Sequence, residues 1–574
     1  MARIAKISIR NFRAIRSFDW SPRPGFNCLL GSGDSGKSSV LEAIAWCLSA
    51  NVNRSATDAD FYKLDLEIPI EISLTLIDLP ERLLAFEPFG PYHRGFNHDT
   101  DEVEDEPGPG LEIAFSVTLR IDWTMQGRWS LDTDRIVVEA ERHAMALRML
   151  RRLSLLQLQG DNASQLTFGR GSVLFNLADD QLELNGALAS AARAARDAFG
   201  GAANAQLKDT LERVHQIAGH LGINAAANAV ASLDASQVTL RPGNVVLQDH
   251  LSIPLTRLGL GSSRLLIAGL QQEAKAGADI GLVDELESGL EPHRIVRLLQ
   301  TLGAKSSDPT FQVFATTHSP VVVRELSVDQ LVRVQNVDGI VKMPPMDAVS
   351  SLQGTLRSYP EAFLSTSVIV CEGAGEVGLI RGLDLHRIDK GKYSLSAYGT
   401  ALVNAGGCDN ILACAEAFHS LGYRVAILRD DDKQPHADHE NALVAGGCLL
   451  AKWPQGYALE HAVFLGLPGS HGLAVVRHAI ELYGLEAIED QVRNQLPNGS
   501  AFDFELSELI GVLDDAERQA CAKAAMSRSK SWFKKRGIGV METIAYEVIG
   551  PALEDCEPWM KDEISKLFEW AADA

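Results

Sequence analysis

The N-terminal part of the chain alternates apolar and polar positions. Residues 3–10 and 25–30 have the pattern of strands, and the apolar spacing of residues 38–50 predicts a helix after a glycine-rich loop. Residues 68–77 and 111–121 alternate with a period of two, which predicts antiparallel strands. The order of strand, loop and helix indicates an α/β domain.

Further along, the pattern changes twice. Residues 184–233 are alanine-rich with helical spacing, which predicts an inserted helical arm or a dimerisation element. Strands and helices alternate from 245 to 335, and a stretch near 343–360 with proline and serine separates them from a second α/β unit. The predicted organisation is a domain at 1–345 with a helical insertion at about 180–235, a linker at 346–361, a domain at 362–545 and a helical tail at 546–574.

Length, net charge and hydropathy argue against several classes of protein. A chain of 574 residues is too long for one core. The net charge of −22 argues against a general nucleic-acid coat protein, so DNA binding would need a local basic patch, for which residues 527–536 are the candidate. No apolar run approaches the roughly 18 residues of a membrane span, and no signal-type stretch opens the chain. We therefore expect a cytoplasmic protein without a membrane partner.

The eight cysteines form no C-x-x-C pair, which argues against a zinc ribbon or a redox dithiol.

The glycine-rich loop fits a phosphate-binding pattern. Residues 31–38 match G-x-x-x-x-G-K-[ST] between a predicted strand and a predicted helix. Backbone N–H groups of such a loop surround phosphate oxygens, Lys37 would reach the β- and γ-phosphates, and the Ser38 hydroxyl would ligate magnesium. The residues predicted to bind ATP here are Gly31, Gly33, Asp34, Ser35, Gly36, Lys37, Ser38 and Ser39.

A second apolar strand, in residues 278–285, ends in two acids. Asp284 would hold magnesium through water, and Glu285 would orient or deprotonate the attacking water. About thirty residues later another apolar strand ends in His318, which would sense the γ-phosphate. Together with the loop, these residues predict an ATPase.

The order of these parts resembles the ABC-type ATPase heads of SMC-like repair proteins, although no long coiled coil interrupts the head. In that family a Ser/Gly signature at a helix N-terminus caps the γ-phosphate held by the other protomer. Residues 257–270 read RLGLGSSRLLIAGL, and Gly261, Ser262 and Ser263 occupy the place of that signature. The resemblance implies a homodimer or a larger homo-oligomer.

Carboxylates follow two apolar strands in the C-terminal half, within TSVIVCEGAGE (366–376) and VAILRDDD (425–432). Glu372 and Asp430 are 58 residues apart, and two βα units of roughly 30 residues each would span that distance. Successive parallel strands end at one edge of a sheet, where ligands bind. The residues predicted to meet there and to hold divalent metal ions are Glu372, Glu376, Asp430 and Asp432.

An acidic E-G on one strand with D-x-D on a later strand resembles the Toprim domain of topoisomerases, primases and nucleases. The E-x-x-x-E form behind an ABC-type ATPase resembles the overcoming-lysogenization-defect (OLD) nucleases, a family that includes the nuclease subunit of the Gabija anti-phage system. The resemblance covers about residues 1–340 and 362–540. It implies an ABC-type P-loop ATPase domain with a helical insertion, followed by a Rossmann-like Toprim domain whose acids bind two divalent metals and cut DNA.

Two elements of that family match less closely. Relatives carry Ser-x-Glu after D-x-D, whereas this chain has Ala458-Leu459-Glu460, so Glu460 can ligate metal while the serine contact is missing. Relatives also bring a lysine from near the C-terminus to stabilise the transition-state charge. We favour Lys534 over its neighbours Lys530 and Lys535. Asp431 is the weaker metal ligand of its run, because alternation turns it to the other face.

The leading hypothesis is an ATP-regulated DNA endonuclease that acts in defence against phage or plasmids. ATP and Mg²⁺ (or Mn²⁺) are its expected cofactors, DNA is its substrate, and a helicase-like or other defence protein is an implied partner. One alternative is a non-cutting SMC-like DNA-binding or repair ATPase with the C-terminal half as a docking module. A topoisomerase or primase ranks last, because the chain has no cysteine-based zinc pattern and no room for the extra domains.

Overall fold

The structure is a computed structural model of the chain. It describes every residue except 1, 50–55, 85–88, 134, 137, 152, 154, 159–162, 170–171, 178–183, 224–228, 235–244, 274–278, 307–308, 310, 345–351, 434–435, 497–510, 528–530, 534–537 and 574.

The described strands are β1 (Arg3–Phe12), β2 (Ile15–Trp20), β3 (Phe26–Leu30), β4 (Ile70–Ile77), β5 (Arg94–Asn97), β6 (Glu102–Glu104), β7 (Glu112–Ile121), β8 (Gly127–Leu131), β9 (Leu155–Leu158), β10 (Ile280–Val283), β11 (Gln312–Thr316), β12 (Leu331–Arg333), β13 (Gln335–Val337), β14 (Ile340–Lys342), β15 (Ser367–Cys371), β16 (Thr400–Asn404), β17 (Arg424–Arg429) and β18 (Leu449–Lys452).

The described helices are α1 (Lys37–Leu48), α2 (Glu81–Leu84), α3 (Glu139–Leu150), α4 (Val173–Leu177), α5 (Leu184–Gln206), α6 (Lys208–His220), α7 (Leu260–Glu273), α8 (Pro292–Thr301), α9 (Pro320–Glu325), α10 (Gln353–Ser358), α11 (Ala374–Asp389), α12 (Cys408–Ser420), α13 (Ala437–Ala445), α14 (Leu459–Gly466), α15 (Gly469–Tyr483), α16 (Leu485–Arg493), α17 (Asp515–Ala525), α18 (Ile538–Ile544), α19 (Gly550–Ala552) and α20 (Pro558–Ala572). None of these helices combines the length and apolar character that crossing a membrane requires.

The chain divides into two compact units that do not follow chain order. Unit one contains residues 1–13, 17–27 and 38–317, and unit two contains residues 14–16, 28–37 and 318–574. The domain boundaries predicted from the sequence stay a prediction.

Unit one contains an antiparallel sheet in which β4 lies between β1 and β7, and β8 and β5 both pair with β7. Alternate side chains are buried. On β1 and β4, for example, Ile9 and Ile72 are fully buried, whereas the adjacent Ser8 and Ser73 belong to the opposite face. The strands predicted at 68–77 and 111–121 are therefore confirmed as β4 and β7.

A second group of strands in unit one is parallel. β10 lies between β9 and β11, with Ile280 opposite Leu155 on one side and Gln312 on the other. All four residues of β10 are buried, as expected for a strand covered on both faces. The carboxyl ends of β10 and β11 carry the acid pair at 284–285 and the threonine pair at 316–317. Helices α5 and α6 lie within the segment predicted as a helical insertion.

Unit two contains a parallel sheet with the strand order β16-β15-β17-β18. Its central strands are apolar throughout, and every residue of β15 is buried. The chain passes from β15 to β16 on one side and then to β17 on the other, so the order reverses between β15 and β17. Such a reversal opens a crevice at the carboxyl ends of the two strands, where ligands bind in sheets of this type.

The helices of unit two share one core with this sheet. Ile369 and Leu428 from the central strands, Phe464 from α14 and Leu567 from α20 belong to one cluster of buried side chains. Two of these helices approach closely at Gly382 in α11, where an added Cβ would lie 2.2 Å from the carbonyl oxygen of Glu542 in α18. Glycine is needed there because a main-chain atom, unlike the end of a side chain, cannot easily give way.

We predict that Gly382→Ala lowers the free energy of unfolding by about 1–3 kcal/mol, the usual cost of overpacking. Urea unfolding of the full chain, followed by circular dichroism, measures it. Gly539→Ala is the matched control, because a Cβ at Gly539 meets no atom within 4 Å. Equal unfolding midpoints for the two variants would contradict the close packing of α11 on α18.

Candidate metal centre and nucleotide-binding loop

The crevice between β15 and β17 is where the predicted acids of unit two lie. Cys371 pairs with Leu428 at the ends of the two strands, so Glu372 and Asp430 emerge next to each other. The backbone N–H of Glu372 donates to the Leu428 carbonyl oxygen at 3.0 Å. The Asp430 N–H in turn donates to Glu372 Oε2 at 3.1 Å. Strand pairing therefore fixes the separation of these two acids.

Three acids in the crevice form a compact group. Glu372, Asp430 and Asp432 each offer a carboxylate oxygen, and these oxygens lie within 4.8 Å of one another. Glu372 and Asp430 are half-buried, whereas Asp432 is exposed. The structure thus brings together three of the four residues predicted to share a sheet edge.

Glu376 and Glu460 lie beside this group and are buried. Glu376 belongs to the first turn of α11, and its Oε2 accepts a hydrogen bond from the Gly373 N–H at 2.8 Å, which caps the helix. Gly375 lets α11 approach α14, because an added Cβ would lie 2.5 Å from Leu459 Cδ2. Both acids are close enough to Asp430 to influence its ionisation. Their role as metal ligands stays a prediction.

Burial and mutual repulsion alter the ionisation of this cluster. Burial, together with the carboxylates of Glu376, Glu372 and Glu460, holds the pKa of Asp430 well above its usual range. Burial and the neighbouring acids also raise the pKa of Glu376, and burial raises that of Glu372. In addition, Oδ1 of Asp430 is buried and has no hydrogen-bond partner among the described residues. A cluster of hard oxygen donors with an unpaired buried oxygen fits a divalent cation such as Mg²⁺ or Mn²⁺.

A buried ion network holds the turn between the two aspartates from behind. Arg429, the last residue of β17, is fully buried. Its Nε donates to Glu440 Oε2 at 2.6 Å, and its Nη1 donates to Asp431 Oδ1 at 3.0 Å and to the Asp430 carbonyl oxygen at 2.6 Å. Lys452 Nζ approaches Asp431 at 3.5 Å. Asp431 therefore faces away from the metal group, as its position in the alternation indicates.

The helix that carries Glu460, α14, is preceded by Ala458, at the position where the OLD nucleases have a serine. The backbone N–H of Ala458 donates instead to Nδ1 of His461 at 3.2 Å. The His461 ring stacks on Tyr457 with a centroid separation of 5.5 Å, and burial lowers its pKa. His461 thus closes the first turn of α14. Lys534, the predicted transition-state lysine, lies outside the described residues, as do Lys530 and Lys535.

The glycine-rich loop of residues 31–37 has the backbone that its sequence predicts. Gly31 and Gly36 have φ angles of 153° and 95°, a region that favours glycine, and Asp34 also has a positive φ of 61°. Lys37 is buried, and its Nζ donates to the carbonyl oxygens of Gly31 at 2.9 Å and Ser32 at 2.7 Å. Its ammonium group therefore lies over the loop itself.

Within unit one, the structure brings Ser38 and Asp284 together. The Ser38 hydroxyl donates to Asp284 Oδ1 at 3.2 Å, and the hydroxyl of buried Thr316 donates to the same oxygen. Glu285 follows with a φ of 46°, which is unusual for a residue with a side chain. Its backbone N–H donates to Thr316 Oγ1 at 2.8 Å, and its carbonyl oxygen accepts from Arg264 Nη1 at 2.6 Å. Thr316 and Arg264 thus hold the Asp284 carboxylate and the backbone of Glu285 in place.

Residues 261–263, which resemble the Ser/Gly signature of ABC-type ATPases, form the first turn of α7. Gly261 packs against the turn at Gly289, because an added Cβ would lie 2.1 Å from the Gly289 carbonyl oxygen. The Ser262 hydroxyl accepts from Arg294 at 3.0 Å, and Ser263 donates to the Leu260 carbonyl oxygen at 2.8 Å. His318 is exposed and lies two residues beyond the end of β11. The roles predicted for these residues in ATP binding stay predictions.

Sequence reasoning missed the Arg429 network, and one signal for it was present. An arginine at the end of the apolar run VAILR is buried only when acidic groups pair with it, so this arginine predicts acidic partners. Glu440 is eleven residues away on α13 and carries no such signal. Thr316 and Arg264 of unit one were likewise missed. Thr316 reaches Asp284 through the pairing of β10 with β11, and Arg264 reaches the backbone of residues 284 and 285 through the position of α7.

Three segments match protein-family models. Residues 363–432 match the overcoming lysogenization defect protein-like TOPRIM domain, and residues 6–127 match an AAA domain. Residues 152–324 match a second AAA model, whose description names an AbiEii toxin of a type IV TA system. The chain thus joins an AAA-type domain to an OLD-like TOPRIM domain. The three clustered acids lie within the TOPRIM match or directly at its end.

One curated protein is similar over a short stretch, and solved structures are similar over longer stretches at low sequence identity. The DNA replication and repair protein RecF of Chlorobium phaeovibrioides (strain DSM 265 / 1930) is 40% identical over 58 residues, which are 10% of this chain and 16% of RecF. The crystal structure of the SmcHead bound to the C-winged helix domain of ScpA shares 15% identity at a TM-score of 0.34, over 59% of this chain and 96% of that one. The SMC head domain from Thermotoga maritima shares 13% identity at a TM-score of 0.28, over 60% and 98%.

We predict that Arg429→Met destabilises unit two by about 3–5 kcal/mol, because the buried carboxylates of Asp431 and Glu440 would keep only Lys452 nearby, at 3.5 Å and 4.0 Å. Urea unfolding measures the loss. Arg493→Met is the control, since that arginine and its partner Asp490 are exposed and such pairs contribute at most about 1 kcal/mol. A loss no larger than that of the control would show that the network does not support the turn.

Proposed function

We propose that this chain is an ATP-regulated, divalent-metal-dependent DNA endonuclease that acts in defence against phage or plasmids. The observation that carries the proposal is the group of Glu372, Asp430 and Asp432 at the strand-order reversal, with an unpaired buried oxygen on Asp430. The TOPRIM match and the ATPase matches support a nuclease joined to an ATPase. DNA as the substrate and defence as the setting are inferences from that combination.

In this proposal the three acids hold the cation, and the buried Glu376 and Glu460 add negative potential beside it. A bound divalent ion would activate water and stabilise the leaving oxygen of a phosphodiester. The Arg429 network keeps Asp430 and Asp432 at a fixed separation, because Nη1 holds the carbonyl oxygen of the peptide between Asp430 and Asp431. Hydrolysis adds one water across a P–O bond of DNA. Glu376 also caps α11, so its loss would change structure as well as charge.

ATP is proposed to bind at the loop of residues 31–38. Lys37 would exchange the loop carbonyls for phosphate oxygens, and Ser38 with Asp284 would hold the accompanying magnesium ion. Glu285, fixed by Thr316 and Arg264, would orient the attacking water, and His318 would contact the γ-phosphate. The signature residues Gly261 and Ser262 would complete the site of a second copy, so we infer a homodimer or a larger homo-oligomer.

We expect Glu372→Gln to reduce metal-dependent plasmid cleavage at least about a hundredfold, because a cation contributes several kcal/mol of transition-state stabilisation. Gel electrophoresis of supercoiled plasmid with Mg²⁺ or Mn²⁺ measures it. Glu416→Gln, at an exposed position of α12, is the matched charge control and should cut normally. A wild-type protein that hydrolyses ATP but cuts no DNA under any metal would favour the non-cutting ATPase instead.

We also expect nucleotide to control access of DNA to the acids rather than to drive the cut. Lys37→Ala should remove ATP binding, so its cleavage rate should stay constant across an ATP titration in which the wild-type rate changes. Manganese binding by the variant, followed by calorimetry, should match the wild type. Identical ATP dependence of cleavage in both proteins would refute the coupling.

A further inference from the structure

The loop before α14 is hydrogen-bonded to the turn that carries the clustered aspartates. Asp431, the middle residue of that turn, donates its backbone N–H to the Tyr457 carbonyl oxygen at 2.9 Å. The Asp431 carbonyl oxygen in turn accepts from the Gly456 N–H at 3.0 Å. Helix α14 begins two residues after Tyr457, and Glu460 belongs to its first turn. The start of α14 is therefore tied to the acid group.

The first turn of α14 packs closely against the first turn of α11. The side chain of Leu459 occupies the space that a Cβ at Gly375 would need. Glu460, the next residue, is buried. Besides burial, its negative charge is one of those that raise the pKa of Asp430 and of Glu376. A shift in the start of α14 would thus move one carboxylate relative to the others.

The residue that precedes α14 provides no side-chain cap for the helix. Ala458 has the extended backbone of an N-cap residue, with φ −92° and ψ 175°. Its carbonyl oxygen accepts from the Ala462 N–H at 3.0 Å, as the first bond of the helix. Serine, threonine, asparagine and aspartate are preferred at such a position because their side chains accept an N–H of the first turn. Alanine has no acceptor, so this half of a capping box is missing.

The other half of the capping box comes from a histidine. Nδ1 of His461, the third residue of α14, accepts from the Ala458 N–H at 3.2 Å, which is the role that glutamate or glutamine usually takes. The His461 ring stacks on Tyr457 with an interplanar angle of 23°, and Tyr457 packs edge-on against Trp559 at 5.8 Å. His461 therefore joins the first turn of α14 to the loop that is bonded to Asp431.

We propose that His461 is a positioning residue of the metal centre, which fixes the first turn of α14 and thereby holds Glu460 beside the three clustered acids. The inference rests on the proposed function, in which Glu460 adds negative potential beside a bound cation. Replacing groups that orient metal ligands without touching the metal typically weakens metal binding by about ten- to a hundredfold. Removal of the His461 acceptor should therefore weaken cation binding.

Calorimetric titration of the full chain with Mn²⁺ tests the inference. His461→Phe keeps an aromatic ring for Tyr457 but removes the acceptor, so Mn²⁺ should bind about tenfold more weakly. His461→Gln keeps an acceptor at the same helix position and should bind Mn²⁺ within about twofold of the wild type. His471→Ala is the matched control, because His471 also lies in the first turn of a helix, α15, where its Nδ1 is 3.2 Å from Ser470 Oγ.

Two double variants show whether the effect passes through the cap and through Glu460. Ala458→Ser adds an acceptor at the N-cap, so Ala458→Ser with His461→Phe should recover most of the lost affinity. Glu460→Gln should weaken Mn²⁺ binding by itself, and adding His461→Phe should weaken it little further, since residues that act through one another are not additive. A loss that serine does not restore, or that adds fully to the loss in Glu460→Gln, would overturn the inference. Weak Mn²⁺ binding by a folded His461→Gln protein would also contradict it.

Plasmid cleavage by the same preparations separates this inference from the proposed function. If the wild type cuts DNA while His461→Phe binds Mn²⁺ as tightly as the His471→Ala control, the role of His461 is wrong and the nuclease proposal stands. If the Mn²⁺ affinities follow the expected order but the wild type never cuts, the role of His461 stands without the nuclease. A wild type that binds neither Mn²⁺ nor Mg²⁺ overturns both.

Discussion

Repulsion between carboxylates at adjacent strand ends is the constraint around which unit two is built. Pairing of β15 with β17 places Glu372 and Asp430 side by side, and burial removes much of the water that would screen them. Burial and this repulsion disfavour the charged carboxylates and therefore raise the pKa values of Asp430 and Glu376. Pairing within the apolar sheet holds the two strand ends side by side, and a cationic network lies behind the turn. A divalent cation in front of the turn would relieve the repulsion directly.

The acid pair at residues 284–285 of unit one has a different environment, because hydrogen-bond donors surround it. Asp284 is surrounded by the hydroxyls of Ser38 and Thr316, and the backbone of Glu285 is held by neutral and cationic donors. Both acids follow the end of one strand, β10, instead of the ends of two. The difference suits their proposed tasks. One site would share a single magnesium ion with nucleotide phosphates, whereas the other must attract cations by itself.

Most of the fold follows from local patterns in the sequence. Period-two alternation identified β4 and β7, and the loop at 31–38 was recognisable because its glycines and lysine have fixed spacing. The meeting of Glu372 with Asp430 was predictable too, since βα units end their strands at one edge. The partners of Arg429 were not, because Glu440 comes from a helix whose position depends on packing. The double role of Glu376, as helix cap and cluster member, likewise depends on where α11 begins. Which residues lie opposite one another across β1, β4, β7 and β8 depends on the register of four strands, which alternation alone leaves open.

The central claim is that the acid group holds divalent metal, and anomalous diffraction from crystals grown with Mn²⁺ tests it most directly. We expect a manganese peak bonded by oxygens of Glu372, Asp430 and Asp432, and no such peak in Glu372→Gln crystals. Wild-type crystals with ordered side chains at these positions and no manganese among them would contradict it.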